Sequence, residues 1–150
     1  MEEGYRYDVI DAALAERGED PWVARRSVGE LARWVERPDW AQLLAAYSRS
    51  RRIVREYAET FALHPDRLTQ PEERRLYQAY LEFGGRVTPA STVDALLGAL
   101  EGMVGPITIF FDKVLVMDSD QSVRENRLAL LQRIAAITKG IVDLSLMMGF

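Results

Sequence analysis

The sequence predicts an all-α protein, a single-domain helical bundle of six or seven helices spanning residues 1–150. Apolar residues recur at helical spacing along most of the chain, between proline, glycine and capping residues that start and stop helices. Residues 107–117 have strand-like composition, but the chain offers no second strand to pair with them. A lone buried strand would leave its backbone hydrogen bonds unmade, so this stretch is also predicted to be helical.

The first two helices have distinct start and stop signals. Residues 6–17 form the first helix, which stops at Gly18. Asp20 caps the second helix, Pro21 occupies its first position, and Pro38 ends it. Its predicted buried face consists of Trp22, Val23, Val28, Leu31, Ala32 and Val35.

A third helix is predicted from Trp40 to about residue 63, with Asp39 as its cap. Its segment 48–55 holds four arginines in eight residues without an acid. They form two pairs on the helix surface, Arg49 with Arg52 at i, i+3 and Arg51 with Arg55 at i, i+4. Two interpretations stay open: a solvated face partly paired with Glu56 and Glu59, or a patch that faces phosphate.

The fourth helix starts at Gln70-Pro71 with acids in its first turn, which the helix dipole favours, and Gly84-Gly85 breaks it. The fifth is predicted from Val93 to Met103, because the cluster of Gly102, Gly105 and Pro106 is typical of a helix end. If residues 107–117 are helical, the side chains expected to face inward are Ile107, Phe110 or Phe111, Val114 and Met117.

A last, long helix is predicted from Ser122 to Met148, after a polar hinge at 118–121. One apolar stripe runs along it and makes it the packing centre: Val123, Leu130, Ile134, Ile137, Ile141, Leu144 and Met148. Arg127 interrupts this stripe. It is expected to form an interhelical salt bridge to an acid such as Asp112, although with Arg124 it could instead meet RNA.

Composition excludes several classes of protein and site. With no cysteine, the chain has no disulfide, zinc–thiolate site or cysteine nucleophile, and no metal site is expected. The lone His64 precedes a proline and is read as a solvated loop residue. The net charge of −4 argues against a nucleic-acid partner, but residues 41–75 carry +2, which leaves room for a local basic patch. DNA is not an expected partner. No transmembrane segment or signal peptide is predicted, and the expected location is cytoplasmic.

Catalytic motifs are absent from the sequence. It contains neither a P-loop nor a dinucleotide-binding glycine fingerprint. The adjacent pair Asp112-Lys113 points to different faces of a helix, and the paired acids Asp118/Asp120 and Glu72/Glu73 lie where helix caps explain them. The chain alone is therefore not expected to catalyse a reaction.

Two blocks of sequence carry a resemblance to a known family. Residues 110–117, Phe-Phe-Asp-Lys-Val-Leu-Val-Met, and residues 123–131, Val-Arg-Glu-Asn-Arg-Leu-Ala-Leu-Leu, closely resemble the C-terminal region of the bacterial glycyl-tRNA synthetase β subunit. That region is a DALR-type anticodon-binding domain, a helical bundle shared with arginyl-tRNA synthetase. The upstream segments 7–12 and 71–87 are similar to the family as well.

The sequence departs from the family at the third helix. The family's Lys-Arg-hydrophobic-x-Asn-Ile motif keeps Arg49 and Ile53, but Ser48 replaces the lysine and Arg52 occupies the asparagine position. The C-terminal residues 146–150 resemble the ending of the arginyl branch as much as that of the glycyl branch. An anticodon-binding domain of the arginyl branch therefore remains an alternative.

The resemblance implies an anticodon-arm-binding module, a C-terminal fragment of a longer synthetase subunit. The implied partners are tRNA, the rest of the β subunit and a separate α subunit that uses ATP and magnesium, with no cofactor in this domain and no membrane. The candidate RNA-binding residues are Arg49, Arg51, Arg52, Arg55, Arg124 and Arg127. A further alternative is a protein-interaction bundle anchored by Trp22, Trp34 and Trp40, although core packing is expected for these tryptophans.

Overall fold

The computed structural model describes residues 4–150, and within that range the chain is helical, with no β-strand. Its six α-helices are α1 (Tyr7–Arg17), α2 (Pro21–Val35), α3 (Trp40–Val54), α4 (Pro71–Ala79), α5 (Val93–Lys113) and α6 (Gln121–Ala135). A π-helical turn, Tyr80–Gly84, extends α4, and short 3₁₀ turns lie at Pro65–Arg67, Ala136–Thr138 and Leu144–Leu146. The predicted all-α class is confirmed.

The core is built around α5 and α6. Helices α2, α3 and α4 pack against α5, while α6 packs against α3, and α1 packs against α2. The large side chains fully enclosed between them include Tyr47, Phe110, Met103, Leu128 and Leu131. Burial of this apolar surface is the main favourable term in folding, so α3, α5 and α6 hold one another in fixed positions.

Two expectations at the start of α2 and α3 were wrong. Asp20 caps α2 as predicted, accepting hydrogen bonds from the N–H groups of Trp22 and Val23. However, the Trp22 side chain is 81% exposed and contributes nothing to the buried face of α2. Asp39 does not cap α3 with its side chain, because its carboxylate is bound by the Arg37 guanidinium at 3.0 and 2.9 Å.

The third helix is shorter than predicted, since α3 ends at Val54 and not near residue 63. The non-helical chain that follows is held by a side chain of α6. Gln132 accepts the N–H of Phe61 at 2.9 Å and donates to the carbonyl of Glu59 at 2.9 Å. These bonds satisfy backbone groups that a continued helix would have paired, so tertiary contacts override the helical spacing.

The predicted break between the fifth helix and residues 107–117 was also wrong, because α5 runs through Pro106. Gly102 does not end a helix: a Cβ there would lie 2.6 Å from the ring of Phe83, so close packing requires the glycine. The buried positions continue in helical register on both sides of the proline, from Met103 to Ile107 and Phe110. Their burial offsets the cost of about 3 kcal/mol for a proline inside a helix.

Helix α5 is long and apolar enough, by length and composition alone, to cross a membrane. It is the one helix of the described residues that passes this test, and 44% of the window that passes is buried inside the protein. Its apolar residues cover the faces of α2, α3 and α4, and this packing accounts for the composition.

The last helix ends at Ala135, far short of the predicted Met148. The chain turns through Ala136–Thr138 and reverses at Gly140, where φ is +82°, a value that favours glycine. Ile141 and Leu144 are still buried, but they lie beyond α6, in a turn and in the 3₁₀ turn Leu144–Leu146, and not on one continuous helical face. Two residues expected to face inward, Met117 and Met148, are 47% and 71% exposed.

Candidate nucleic-acid interface

The arginines of α3 separate into groups with different neighbours. Arg49 is exposed, and its guanidinium carbon lies 4.4 Å from the centre of the Phe111 ring of α5. The Arg52 guanidinium carbon lies 5.4 Å from the centre of the Phe150 ring. Contact with an aromatic face holds a guanidinium in place without neutralising its charge. Arg49 and Arg52 are therefore positioned cations at the surface.

Acidic neighbours of these arginines differ from those expected. Among residues 4–150, Arg49, Arg52 and Arg55 form no ion pair, so the pairing with Glu56 and Glu59 that one of the two interpretations included is not made. Arg51 alone is paired: its Nη1 donates to Asp143 at 3.0 Å. Asp143 lies in the segment after α6, close to Arg51 only because the chain reverses at Gly140.

A cleft of about 720 Å³ opens at the end of α3, and Arg51 and Arg55 line it together, as their i, i+4 spacing predicts. Its other walls are Glu16 of α1, the non-helical chain after α3, and the residues from the end of α6 to Asp143. The chain after α3 adds Tyr57 and Glu59, and the last segment adds the cations Arg133 and Lys139. Glu16, Arg133 and Lys139 are distant from α3 along the chain, so no local pattern could have grouped them with its arginines.

A buried polar network fixes one wall of this cleft. The Tyr47 hydroxyl donates to the Ala135 carbonyl at 2.9 Å and lies 2.8 Å from the Thr138 hydroxyl. Burial raises the pKa of Tyr47, so it stays neutral at physiological pH. Burial alone would raise the pKa of Asp143 too, but hydrogen bonds from Ser145 and Arg51 hold that pKa below its ordinary value. The carboxylate therefore remains charged and keeps Arg51 oriented.

The two arginines in the first half of α6 are directed at the protein itself. Arg127 is 5% exposed; its Nε donates to Glu73 at 3.1 Å and its Nη1 to the Leu115 carbonyl at 2.6 Å. The interhelical ion pair expected for Arg127 exists, but its partner is Glu73 of α4 and not Asp112, which is exposed. Arg124 donates to the Asp118 carbonyl at 3.0 Å.

The remaining residues of the sequence analysis occupy structural positions. The backbone N–H and carbonyl of His64 both bind Asn126, while its side chain is exposed as expected for a loop. Trp40 is buried, and Trp34 donates its indole N–H to Asp94 at 2.9 Å. Within residues 4–150, no group of three or more His, Asp or Glu side chains is placed to hold a metal ion.

Comparisons with known proteins agree on one family. Residues 43–144 match the family described as "DALR anticodon binding domain". The chain is 40% identical over 147 residues to the glycine–tRNA ligase beta subunit of Moorella thermoacetica, covering 96% of this chain and 21% of that protein. It is 35% identical to the same subunit of Desulforudis audaxviator, covering 97% of this chain and 21% of that protein.

A plant protein is also similar to this chain. The chain is 32% identical to "Glycine--tRNA ligase, chloroplastic/mitochondrial 2" of Arabidopsis thaliana over 152 aligned residues, covering 100% of this chain and 14% of that protein. The chain thus spans about a fifth or less of the length of these curated relatives.

Proposed function

The chain belongs to the DALR anticodon-binding domain family, and from that premise we propose that it is the tRNA-binding module of a glycine–tRNA ligase. The module binds the anticodon arm and supports aminoacylation without catalysing it. The observation that carries the proposal is the display of Arg49, Arg52 and Arg55 on one helix end with no carboxylate partner within residues 4–150.

Recognition rests on two kinds of contact. Arg55, Arg133 and Lys139 line the cleft and can meet phosphate oxygens, since charged N–H donors form strong hydrogen bonds to phosphate. Arg49, held against Phe111, and Arg52, held against Phe150, present planar cations that can meet phosphate oxygens or carry a stacked, unpaired base. The net charge of −4 opposes RNA at long range, so we expect the chain by itself to bind weakly.

The proposed partners of the module also rest on its membership of this family. We propose that it works within a longer β subunit, beside an α subunit that uses ATP and magnesium. Its place is the compartment where translation occurs, cytoplasmic for a bacterial enzyme; by its name, the Arabidopsis relative is chloroplastic or mitochondrial.

The test is a titration of the chain with glycine and arginine tRNAs at low and high salt. Changing Arg49 and Arg52 together to alanine should weaken binding and flatten the dependence of log affinity on log salt, by about 0.7 per lost contact with single-stranded phosphate. Arg33 and Arg86, both 68% exposed and away from the cleft, provide a control double variant with the same loss of charge.

Unchanged affinity and salt slope in the Arg49/Arg52 variant would contradict the assignment of this patch. Preference for arginine tRNA would instead favour the arginyl branch. If neither tRNA binds even at low salt, the tRNA-binding function itself fails for this chain.

One observation favours protein interaction as a second candidate function. The exposed Trp22 lines a shallow concavity of about 520 Å³ together with Leu14, Pro21 and Ala24. Exposed tryptophan is a common anchor of protein interfaces. Loss of α-subunit capture by Trp22→Ser, with tRNA binding retained, would support this role; capture unaffected by the change would remove it.

A further inference from the structure

The chain between α3 and the turn at Pro65–Arg67 is held to α6 by side-chain amides. Asn126 Oδ1 accepts the N–H of His64 at 2.7 Å, and its Nδ2 donates to the carbonyl of the same residue at 3.1 Å. Gln132 bridges the Phe61 N–H and the Glu59 carbonyl. The Phe61 carbonyl also accepts from Arg133 at 3.3 Å. The side chains of α6 thus make the hydrogen bonds to this segment that a paired strand would make in a sheet.

The residues between these anchors have a free edge. Thr60 and Ala62 are exposed, and within residues 4–150 their backbone N–H and carbonyl groups have no hydrogen-bond partner. The residues on either side of Thr60 are both bound to α6, through the Glu59 carbonyl and the Phe61 N–H. The peptide groups of Thr60 and Ala62 are therefore exposed next to backbone that α6 holds in place.

This free edge lies at the rim of the cleft. Thr60 and the half-buried Tyr57 both line the cleft, and the Tyr57 ring is fixed edge-to-face against Phe61, with the ring centres 5.5 Å apart. Arg55 and Lys139 line the same cleft and form no ion pair within residues 4–150. A stacking ring, a peptide donor and acceptor, and cations consequently meet in one place.

We infer that the peptide edge at Thr60, together with the ring of Tyr57, binds an unpaired nucleobase of the RNA whose phosphates contact Arg55 and Lys139. This inference rests on the proposed function and specifies where a base would be read. An unpaired base offers a donor and an acceptor side by side on its edge and a flat face for stacking. Those are the groups that Thr60 and Tyr57 provide.

A peptide strand fits this edge less well than a base. Strand addition uses a row of free peptide groups, and strands usually span about five residues. Here α6 binds the Glu59 carbonyl and the N–H groups of Phe61 and His64, so the free peptide groups do not form an unbroken row. The unpaired cations in the cleft also favour a ligand that carries phosphate.

The test uses an RNA hairpin with a short single-stranded loop and the same hairpin with abasic loop nucleotides, which keeps every phosphate. The unmodified chain should bind the loop with bases roughly tenfold more tightly, because stacking of one base on an aromatic side chain contributes about that factor. Thr60→Pro removes the backbone N–H and Tyr57→Leu removes the ring. Each should lose most of this preference and retain the affinity for the abasic hairpin.

Thr60→Ala is the matched control, because it keeps the backbone N–H and removes only the side-chain hydroxyl. It should retain the preference for bases, and thermal melting should show that all three variants are folded. Equal binding of the two hairpins by the unmodified chain, or a preference lost equally in Thr60→Ala and Thr60→Pro, would overturn the inference. Both results leave the proposed function intact, whereas binding of neither hairpin at low salt would contradict both.

Discussion

At the scale of single residues, burial determines what each polar group does. Arg127 and Glu73 are 5% and 2% exposed and form an ion pair at 3.1 Å. Without its partner, each would be a buried, unpaired charge. Ser27 is 1% exposed, and its hydroxyl has no hydrogen-bond partner among residues 4–150. In the sequence, Glu73 and Ser27 look like ordinary polar positions of amphipathic helices, because burial depends on which helices pack together.

Removing one partner of the buried ion pair should destabilise the protein strongly. Arg127→Met leaves the Glu73 carboxylate buried without its cation, and the expected loss is about 3–5 kcal/mol in the free energy of unfolding. Urea unfolding measures this loss. The double variant Arg127→Met/Glu73→Leu should recover most of it, and a double variant as unstable as the single one would show that packing, not charge, is responsible.

Ser27→Ala should stabilise the protein by about 1 kcal/mol, because it removes a buried hydroxyl that makes no hydrogen bond. Ser50 is the matched control, since it is equally buried but donates to the Ala46 carbonyl at 3.2 Å. Ser50→Ala is expected to be neutral or slightly destabilising in thermal melts. A Ser27→Ala variant that melts below the unmodified chain would contradict this account.

At the scale of elements, the helix starts were predictable, whereas the ends of α3, α5 and α6 were not. Asp20-Pro21 and Gln70-Pro71 mark the starts of α2 and α4 through caps that act within one turn. The ends of α3 and α6 depend instead on distant partners: Gln132 binds the chain after α3, and Tyr47 binds the Ala135 carbonyl at the end of α6. The requirement for glycine at position 102 of α5 similarly comes from the neighbouring Phe83 ring and not from α5 itself.

Two glycines of α5 should respond in opposite ways to alanine. Gly102→Ala should destabilise the protein by about 1–2 kcal/mol, because a Cβ there lies 2.6 Å from the Phe83 ring and displaces it. Gly98 has nothing within 4 Å of such a Cβ, so Gly98→Ala should stabilise the helix by about 0.5–1 kcal/mol. Chemical denaturation measures the free energy of unfolding of both variants. Similar effects at both positions would show that contact with Phe83 is not the reason for a glycine at position 102.

At the scale of the whole molecule, carboxylates fasten the segment after α6 to the rest of the protein. Asp8 of α1 accepts the N–H of Met148 at 2.9 Å, and Asp143 accepts Arg51 of α3 at 3.0 Å. Burial alone would raise the pKa of Asp8, but hydrogen bonds from Arg6, Met148 and Val9 hold that pKa below its ordinary value. The same direction holds for Asp143, so both carboxylates are more acidic in the folded chain than in the unfolded one.

Stability should therefore fall in acid. A carboxylate with a lowered pKa contributes its full stabilisation above the unfolded pKa of about 3.9, and loses it as the pH falls through the folded pKa. The contribution of these groups to the free energy of unfolding should be constant near neutral pH, and the free energy of unfolding should decline below about pH 4. Asp8→Asn and Asp143→Asn should each reduce the acid decline, measured by urea unfolding at several pH values; an unchanged decline in both would contradict the assignment.

The sequence by itself determined the all-α class, the helix starts and the family resemblance, because capping residues, helical periodicity and short motifs are local properties of the chain. It also located the arginines of α3 and the i, i+4 pair Arg51 and Arg55 that lines the cleft. Only the tertiary structure decided where α3 and α6 end, which arginines are buried, and that Tyr57, Arg133 and Lys139 join the same cleft. The reason is physical: side chains far apart in sequence compete with the backbone for hydrogen bonds and burial, and that competition is settled only when the helices pack.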